Sequence, residues 1–287
     1  MERRDFGNTG IQLSLIGFGG IIVTDTEQAD ADRYVAEAID HGVNYFDVSP
    51  NYGNAQQRLG PALAGKRPGV FLACKTEKRT RQEAEAELHQ SLKTLRTDYL
   101  DLYQFHAVKK VAEVEAILGP DGAMETFLRA QREGKIRYIG FSAHTEAAAL
   151  ALLERFAFTS VLFPINWASL INAGFGAQVI EKARAKGVAR LALKALARTA
   201  WPSHLAASER KYPKCWYEPI EDEHLAQLAL RFTLSEPITA AIPPGDIRLF
   251  RLALQVAEGY TPLAPEEEAE LRHEAAALNS LFPIEYA

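Results

Sequence analysis

The chain has 287 residues, of which 47% are hydrophobic and 24% charged, with a formal net charge of −5 and a pI near 5.9. That length suits one large α/β domain with a substantial core, and the composition excludes a disordered chain. The acidic balance offers no footprint for nucleic acid, and no apolar stretch reaches the roughly 18 residues of a membrane span.

In chain order, the opening RRDFGNTGIQLSLIG reads as a short hairpin turning at Asn8-Thr9-Gly10. The predicted strands are Leu15–Phe18, Asn44–Asp47, Val70–Cys74, Tyr99–Phe105, Tyr138–Phe141, Val161–Phe163, Ala189–Leu193 and Ala240–Ile242. Helical periodicity fills Asp30–His41, Gln82–Leu95, Met124–Glu133, Glu146–Phe156, Ala177–Lys186 and Glu221–Leu234. Glycines directly after His41, Glu133 and Lys186 stop three of these helices. Strand–helix alternation implies a parallel sheet, and eight such repeats without a linker imply closure. The expected fold is an α/β (β/α)8 TIM barrel, one domain spanning 1–287, with the hairpin before it and a C-terminal helical segment. Arg198–Pro219 is long for a barrel connection. Its Trp201, Tyr212, Trp216 and Tyr217 suit either a lid or an anchored surface loop.

The N-terminus MERRDFGNTG lacks the apolar core of a signal peptide. Cys74 and Cys215 are the only cysteines, and Cys74, inside an apolar strand, reads as a buried thiol. The expectation is a cytoplasmic protein without nucleic-acid or membrane partners, and no feature specifies an oligomeric state. Neither H-E-x-x-H nor C-x-x-C occurs, so no metal site is expected.

Four polar residues fall at or just beyond predicted strand ends: Asp47 and Tyr52 in NYFDVSPNYG, Lys75 in GVFLACK, and His106 in DYLDLYQFH. Parallel strands that end this way gather their termini on one face of a barrel. A free phenol titrates near ~10, too high for an efficient acid at neutral pH. A Lys75 ammonium beside Tyr52 is expected to lower that value, with Asp47 holding the ammonium charged. His106 is then placed to donate to a carbonyl oxygen or to settle the phenol's proton. Hydride must come from a cofactor, because no side chain supplies one. Each residue alone has an ordinary explanation, as ion pair, core histidine or turn tyrosine; together they point to carbonyl chemistry.

These segments resemble the aldo-keto reductase family. FDVSPNYG is similar to its Asp-x4-Tyr-Gly motif, VFLACKT to its lysine strand, SLKTLRTDYLDLYQFH to its histidine strand and GKIRYIGFS to its fifth-strand signature. The likeness extends from FGNTGIQLSLIGFGG through IPPGD. It implies a nicotinamide-dependent oxidoreductase that reduces an aldehyde or ketone. Tyr52 would be the general acid, Asp47 and Lys75 its tuning pair, and His106 an orienting group. The implied cofactor is NADP (NADPH), with NAD kept open, and the implied partner is a small-molecule carbonyl substrate.

Expected cofactor contacts are the backbone of Gly19, Gly20 and Ile21, with Ser142 at the nicotinamide amide. Ala143 and Leu162 stand where the family has asparagine and glutamine, so Asn166 is taken as a substitute. Lys194 is expected at a phosphate. Gly245, Arg248 and Arg251 are expected where barrels place a phosphate at a helix N-terminus. Asp246 opposes that charge, and Pro244 replaces the family's usual basic residue. GFGGII is not a Rossmann fingerprint, because position 22 is not glycine. Two alternatives stand beside reduction: a Schiff-base lyase using Lys75 or Lys194, and a non-catalytic nicotinamide-nucleotide-binding barrel.

Overall fold

A computed structural model describes residues 1–282. The hairpin forms as expected, with β1 (Arg3–Asp5) antiparallel to β2 (Gln12–Ser14). Its turn carries Phe6, fully buried against Phe71 and Tyr138 with ring centroids 4.8 and 5.6 Å away. Both partners lie near the starts of their strands, so the hairpin stoppers the N-terminal end of the barrel.

The barrel strands are β3 (Phe18–Gly19), β4 (Tyr45–Asp47), β5 (Phe71–Thr76), β6 (Leu100–Val108), β7 (Ile136–Ala143), β8 (Ser160–Pro164) and β9 (Ala189–Leu193). β10 (Ala197–Ala200) and β11 (Tyr217–Pro219) form a separate antiparallel pair, and β12 (Ala240–Ile242) completes the barrel. The order β3-β4-β5-β6-β7-β8-β9-β12 is parallel throughout. Across the seam, Ile16 bridges Ala241, the Gly17 N–H donates to Ala241 O at 2.9 Å, and the Ala241 N–H donates to Leu15 O at 2.8 Å. The predicted strand Leu15–Phe18 is thus shared between two neighbours. Its first residues pair with β12 and its last with β4, which is how a sheet closes on itself.

Helices α1 (Gln28–Asp40), α2 (Ala55–Ala62), α3 (Arg81–Leu95), α4 (Val111–Leu118), α5 (Ala123–Arg132) and α6 (Glu146–Arg155) surround the first half. α7 (Trp167–Ala173), α8 (Ala177–Ala185), α9 (Glu223–Ser235), α10 (Ile247–Glu258) and α11 (Pro265–Ala276) complete the outer layer. Gly42 and Gly134 take φ of 82° and 74°, the left-handed geometry that ends a helix before a strand. The short helices α2, α4 and α7 fall in stretches that sequence periodicity reads as connections. Each is stabilised by the outer core rather than by a long amphipathic pattern of its own.

Two apolar layers hold this arrangement. Inside the barrel, Tyr45, Phe71, Leu102, Leu162, Leu191 and Ile242 pack with Phe6 and Leu13 of the hairpin. Outside it, strand residues facing the other way meet the helices. Phe105 of β6, for example, stacks on Phe127 of α5 at 4.0 Å. Among the described residues, no helix is long and apolar enough to cross a membrane.

Candidate active site

At the C-terminal ends of the strands the barrel opens into a cavity of about 820 Å³, its open mouth included. Asp47 ends β4, and Lys75 lies one residue before the end of β5, which runs on to Thr76. Register brings Lys75 beside Gln104 of β6. The fully buried Lys75 ammonium is ion-paired with Asp47 and donates to the Tyr52 phenol oxygen at 3.4 Å. The other Asp47 oxygen accepts from the Tyr45 hydroxyl and from Gln104 Nε2, each at 3.3 Å. A carboxylate and an ammonium tolerate this depth because they neutralise and hydrogen-bond each other.

Tyr52 is placed by the turn after β4. Its N–H donates to Ser49 O at 3.1 Å, and its carbonyl accepts from the Thr24 hydroxyl at 3.0 Å. Burial pushes the phenol above its ordinary value, and the Asp47 charge adds to this. Lys75 pulls the other way without prevailing. The expected lowering by Lys75 is therefore real but outweighed, since desolvation acts on the whole ring. Lys75 itself feels burial as a lowering influence, yet Asp47 and Tyr52 hold its ammonium above the usual lysine value.

His106 does not end its strand, because β6 continues to Val108. The β6–β7 pairing shifts register between Phe105 and Val108, where Ala107 adopts φ 52°. One extra residue of β6 is absorbed there, a bulge of the kind that re-aims a side chain. The His106 ring stands edge-on to Tyr52, centroids 5.7 Å apart. Burial, reinforced by the Lys75 charge, pulls its imidazolium down to about 2, so the ring is neutral.

A hydrogen-bond chain orients that ring. Asn51 Nδ2 donates to Glu77 at 2.7 Å, and the Ser49 hydroxyl donates to Asn51 Oδ1 at 2.6 Å. With its one hydrogen committed, Ser49 Oγ accepts from His106 Nδ1 at 3.1 Å. Hydrogen-bond logic therefore assigns the proton to Nδ1 and leaves a lone pair on Nε2. Ser49 and Gln104 escaped sequence reasoning, although each lies within three residues of a singled-out residue.

The expected cofactor residues divide. Gly19, Ile21, Ser142, Lys194 and Gly245 line the cavity, together with Leu162. Gly20 does not line it; a Cβ there would meet Val48 at 2.8 Å, so that glycine serves backbone packing. A Cβ on Gly245 would run into Ile21, so only glycine brings these two cavity-lining backbones together. Ser142 Oγ accepts from the Ala107 N–H at 2.8 Å and retains its hydroxyl hydrogen for a further partner. Asn166 is turned away from the cavity. Its amide donates to the carbonyls of Lys194 and Ala197 at 3.0 and 2.8 Å, and its oxygen caps α7.

Arg248 and Arg251 lie outside the cavity lining. Arg248 is held by Asp246, the N-cap of α10, with contacts of 2.8 and 2.9 Å. Arg251 grips Glu37 of α1 through two bonds of 2.7 and 2.8 Å. Asp246 lies two residues from Arg248 in sequence, whereas Glu37 reaches Arg251 only through tertiary folding.

The long connection splits in function. Trp201 Nε1 donates to Cys215 O at 2.8 Å and packs with Tyr212 and Leu249, anchoring the loop. Trp216 and Tyr217 instead face the cavity, with Trp216 52% exposed at its mouth. Lys214, from the same loop, also lines the cavity and donates to Ile22 O at 3.1 Å.

The donor set fits a nicotinamide nucleotide: an available serine hydroxyl, closely approaching glycine backbones and Lys214, with Asp47, already neutralised, as the sole lining carboxylate among the described residues. The sequence matches the Aldo/keto reductase family over residues 15–249. An uncharacterized oxidoreductase of Bacillus subtilis (strain 168), YqkF, is 24% identical, covering 93% of this chain and 94% of that one. Protein tas of Escherichia coli (strain K12) is 28% identical, covering 68% of each chain. In structure, the aldo-keto reductase AKR11C1 from Bacillus halodurans (holo form) superimposes with a TM-score of 0.75 at 23% identity, covering 98% of this chain and 99% of that one. The family's members are oxidoreductases that use nicotinamide cofactors on small carbonyl compounds, and this chain belongs to it.

Proposed function

We propose that this barrel reduces an aldehyde or ketone to an alcohol at the expense of a nicotinamide nucleotide, with Tyr52 as the general acid. The observation that carries this reading is the buried chain from Asp47 through Lys75 to the Tyr52 hydroxyl, opening on the cavity. The bound nicotinamide would supply the hydride. Tyr52, raised above its ordinary value, keeps its proton at neutral pH until a carbonyl oxygen gains charge. As that proton leaves, the Lys75 ammonium stabilises the phenolate, and Asp47 keeps the ammonium charged and in place. The lone pair on His106 Nε2 suits holding an O–H, of the phenol or of the new alcohol. This favours the second of its two expected roles over donation to the carbonyl.

Ser142 would meet the carboxamide, and Gly19, Ile21 and Gly245 would meet the nucleotide through backbone. Arg248 and Arg251 would have to leave Asp246 and Glu37 to reach the ribose phosphate of NADP. NADP and NAD are best separated by titrating NADPH and NADH against cofactor fluorescence. The central test is Tyr52→Phe. Its turnover of a panel of aldehydes should fall by about 10²–10⁴-fold while NADPH affinity stays within about twofold. Retained turnover would remove Tyr52 from the acid role.

One observation favours Schiff-base chemistry as a second reading. Lys194 is desolvated, and its ammonium is drawn down to about 8. Lys75 is disfavoured for that role because Asp47 keeps it charged. Borohydride trapping of an aldehyde on Lys194, without cofactor oxidation, would support this alternative.

A further inference from the structure

Lys194 follows β9 at φ 70°, a left-handed geometry that costs a lysine energy and recurs at functional sites. Its ammonium lies 5.2 and 4.9 Å from the ring centroids of Trp216 and Tyr217. Among the described residues no carboxylate or carbonyl accepts a hydrogen bond from it, whereas Lys75 has Asp47 and Lys214 has Ile22 O. A half-buried cation without a counter-charge invites an anion, since burial without pairing is unfavourable.

Position decides which anion. The Lys194 charge is felt by His106 and His144, and Lys75 is felt at Lys194 in turn. Lys194, which follows β9 and lines the same cavity as Tyr52 and His106, is thus within electrostatic reach of the reacting groups, as it also is of Cys215. Lys214 lies by contrast with Asp246 and Asp25, near Gly245 and Ile21. The His144 imidazole also lines the cavity. It is held neutral at about 4 by burial and by Lys194, so it offers a ring N–H rather than a competing charge.

We propose that Lys194, clasped by Trp216 and Tyr217 and flanked by His144, is a carboxylate-recognition subsite, so that preferred substrates are aldehydes or ketones bearing a carboxylate. This rests on the reductase reading of the same cavity. The chemistry sought is an anionic oxygen, which a substrate carboxylate or the cofactor diphosphate could present. The proposal commits to the substrate.

The test uses para-carboxybenzaldehyde and its neutral amide, para-carbamoylbenzaldehyde, with wild type, Lys194→Met and Lys194→Arg. Methionine keeps an unbranched stem against the aromatics and meets the same backbone demand. Calorimetric binding of benzoate and fluorescence titration of NADPH accompany the kinetics, and neither needs turnover. Lys194→Met should raise KM for the acid roughly 10- to 100-fold and weaken benzoate comparably. The amide KM and the NADPH Kd should change less than about twofold, and Lys194→Arg should restore most of the acid preference. Equal loss on both aldehydes would overturn the subsite. So would weakened NADPH binding with an unchanged acid-to-amide ratio, which would assign Lys194 to the diphosphate. If neither aldehyde turns over yet Lys194→Met abolishes benzoate binding, the subsite stands and the reductase reading falls.

Discussion

Replacing Lys75 by methionine separates the two jobs assigned to the Asp47–Lys75 pair. Asp47 is 2% exposed, and without Lys75 it keeps only the Tyr45 hydroxyl and Gln104 amide, each at 3.3 Å. Stranding a buried charge in this way costs about 3–5 kcal/mol, a large share of a total stability on the order of 5–15 kcal/mol. Combining Lys75→Met with Asp47→Asn removes both charges and should return stability to within about 1–2 kcal/mol of wild type. Activity should not return, because the phenol still lacks the cation that favours its conjugate base. Reduction should fall by about 10²–10⁴-fold in the single and double variants alike. Equilibrium urea unfolding followed by tryptophan fluorescence gives the stability, and single-turnover NADPH oxidation gives the rate. A Lys75→Met protein as stable as wild type, or a double variant worse than the single, would refute the buried-charge account. An unchanged rate would remove the pair from tuning Tyr52.

Two further expectations follow from the same geometry. Ser49→Ala removes the acceptor of the His106 Nδ1 proton, so nitrogen-15 spectra should show tautomer mixing at His106 and reduction should slow about fivefold; an unaltered tautomer would dismiss the Ser49–Asn51–Glu77 chain. The pH profile of reduction should lack an inflection near the ordinary histidine value of about 6.5, because His106 titrates at about 2. Since Tyr52 must be protonated and is raised above its ordinary value, the rate should decline only as pH climbs past about 10; a limb at neutral pH that His106→Asn erased would contradict this.

The barrel itself was legible because its signals are local. Period-two runs such as VFLAC, helical stretches such as QEAEAELHQSLKTL and the stop glycines Gly42 and Gly134 each report on a few adjacent residues. The convergence of Asp47, Tyr52, Lys75 and His106 was equally readable, since parallel strands must present their ends on one face. The hairpin was readable from its turn, but not that Phe6 would stopper the barrel. The helices α2, α4 and α7 were not, being short and held by packing.

Charge balance lay further still from the sequence. Lys75 was expected to lower the Tyr52 pKa, a pairwise argument; burial of the whole phenol decides the sign. Arg248 and Arg251 read as free cations near a phosphate, yet Asp246 and Glu37 hold them. Asn166 read as an amide contact, but its hydrogens serve the backbone at Lys194 and Ala197. The sequence by itself thus determined which residue types stand at the strand ends, because strand period and chain order fix that. Only the tertiary structure decided which of those groups remain unpaired among the described residues, as Lys194 does, because pairing depends on neighbours that are remote in sequence and on how much water folding excludes.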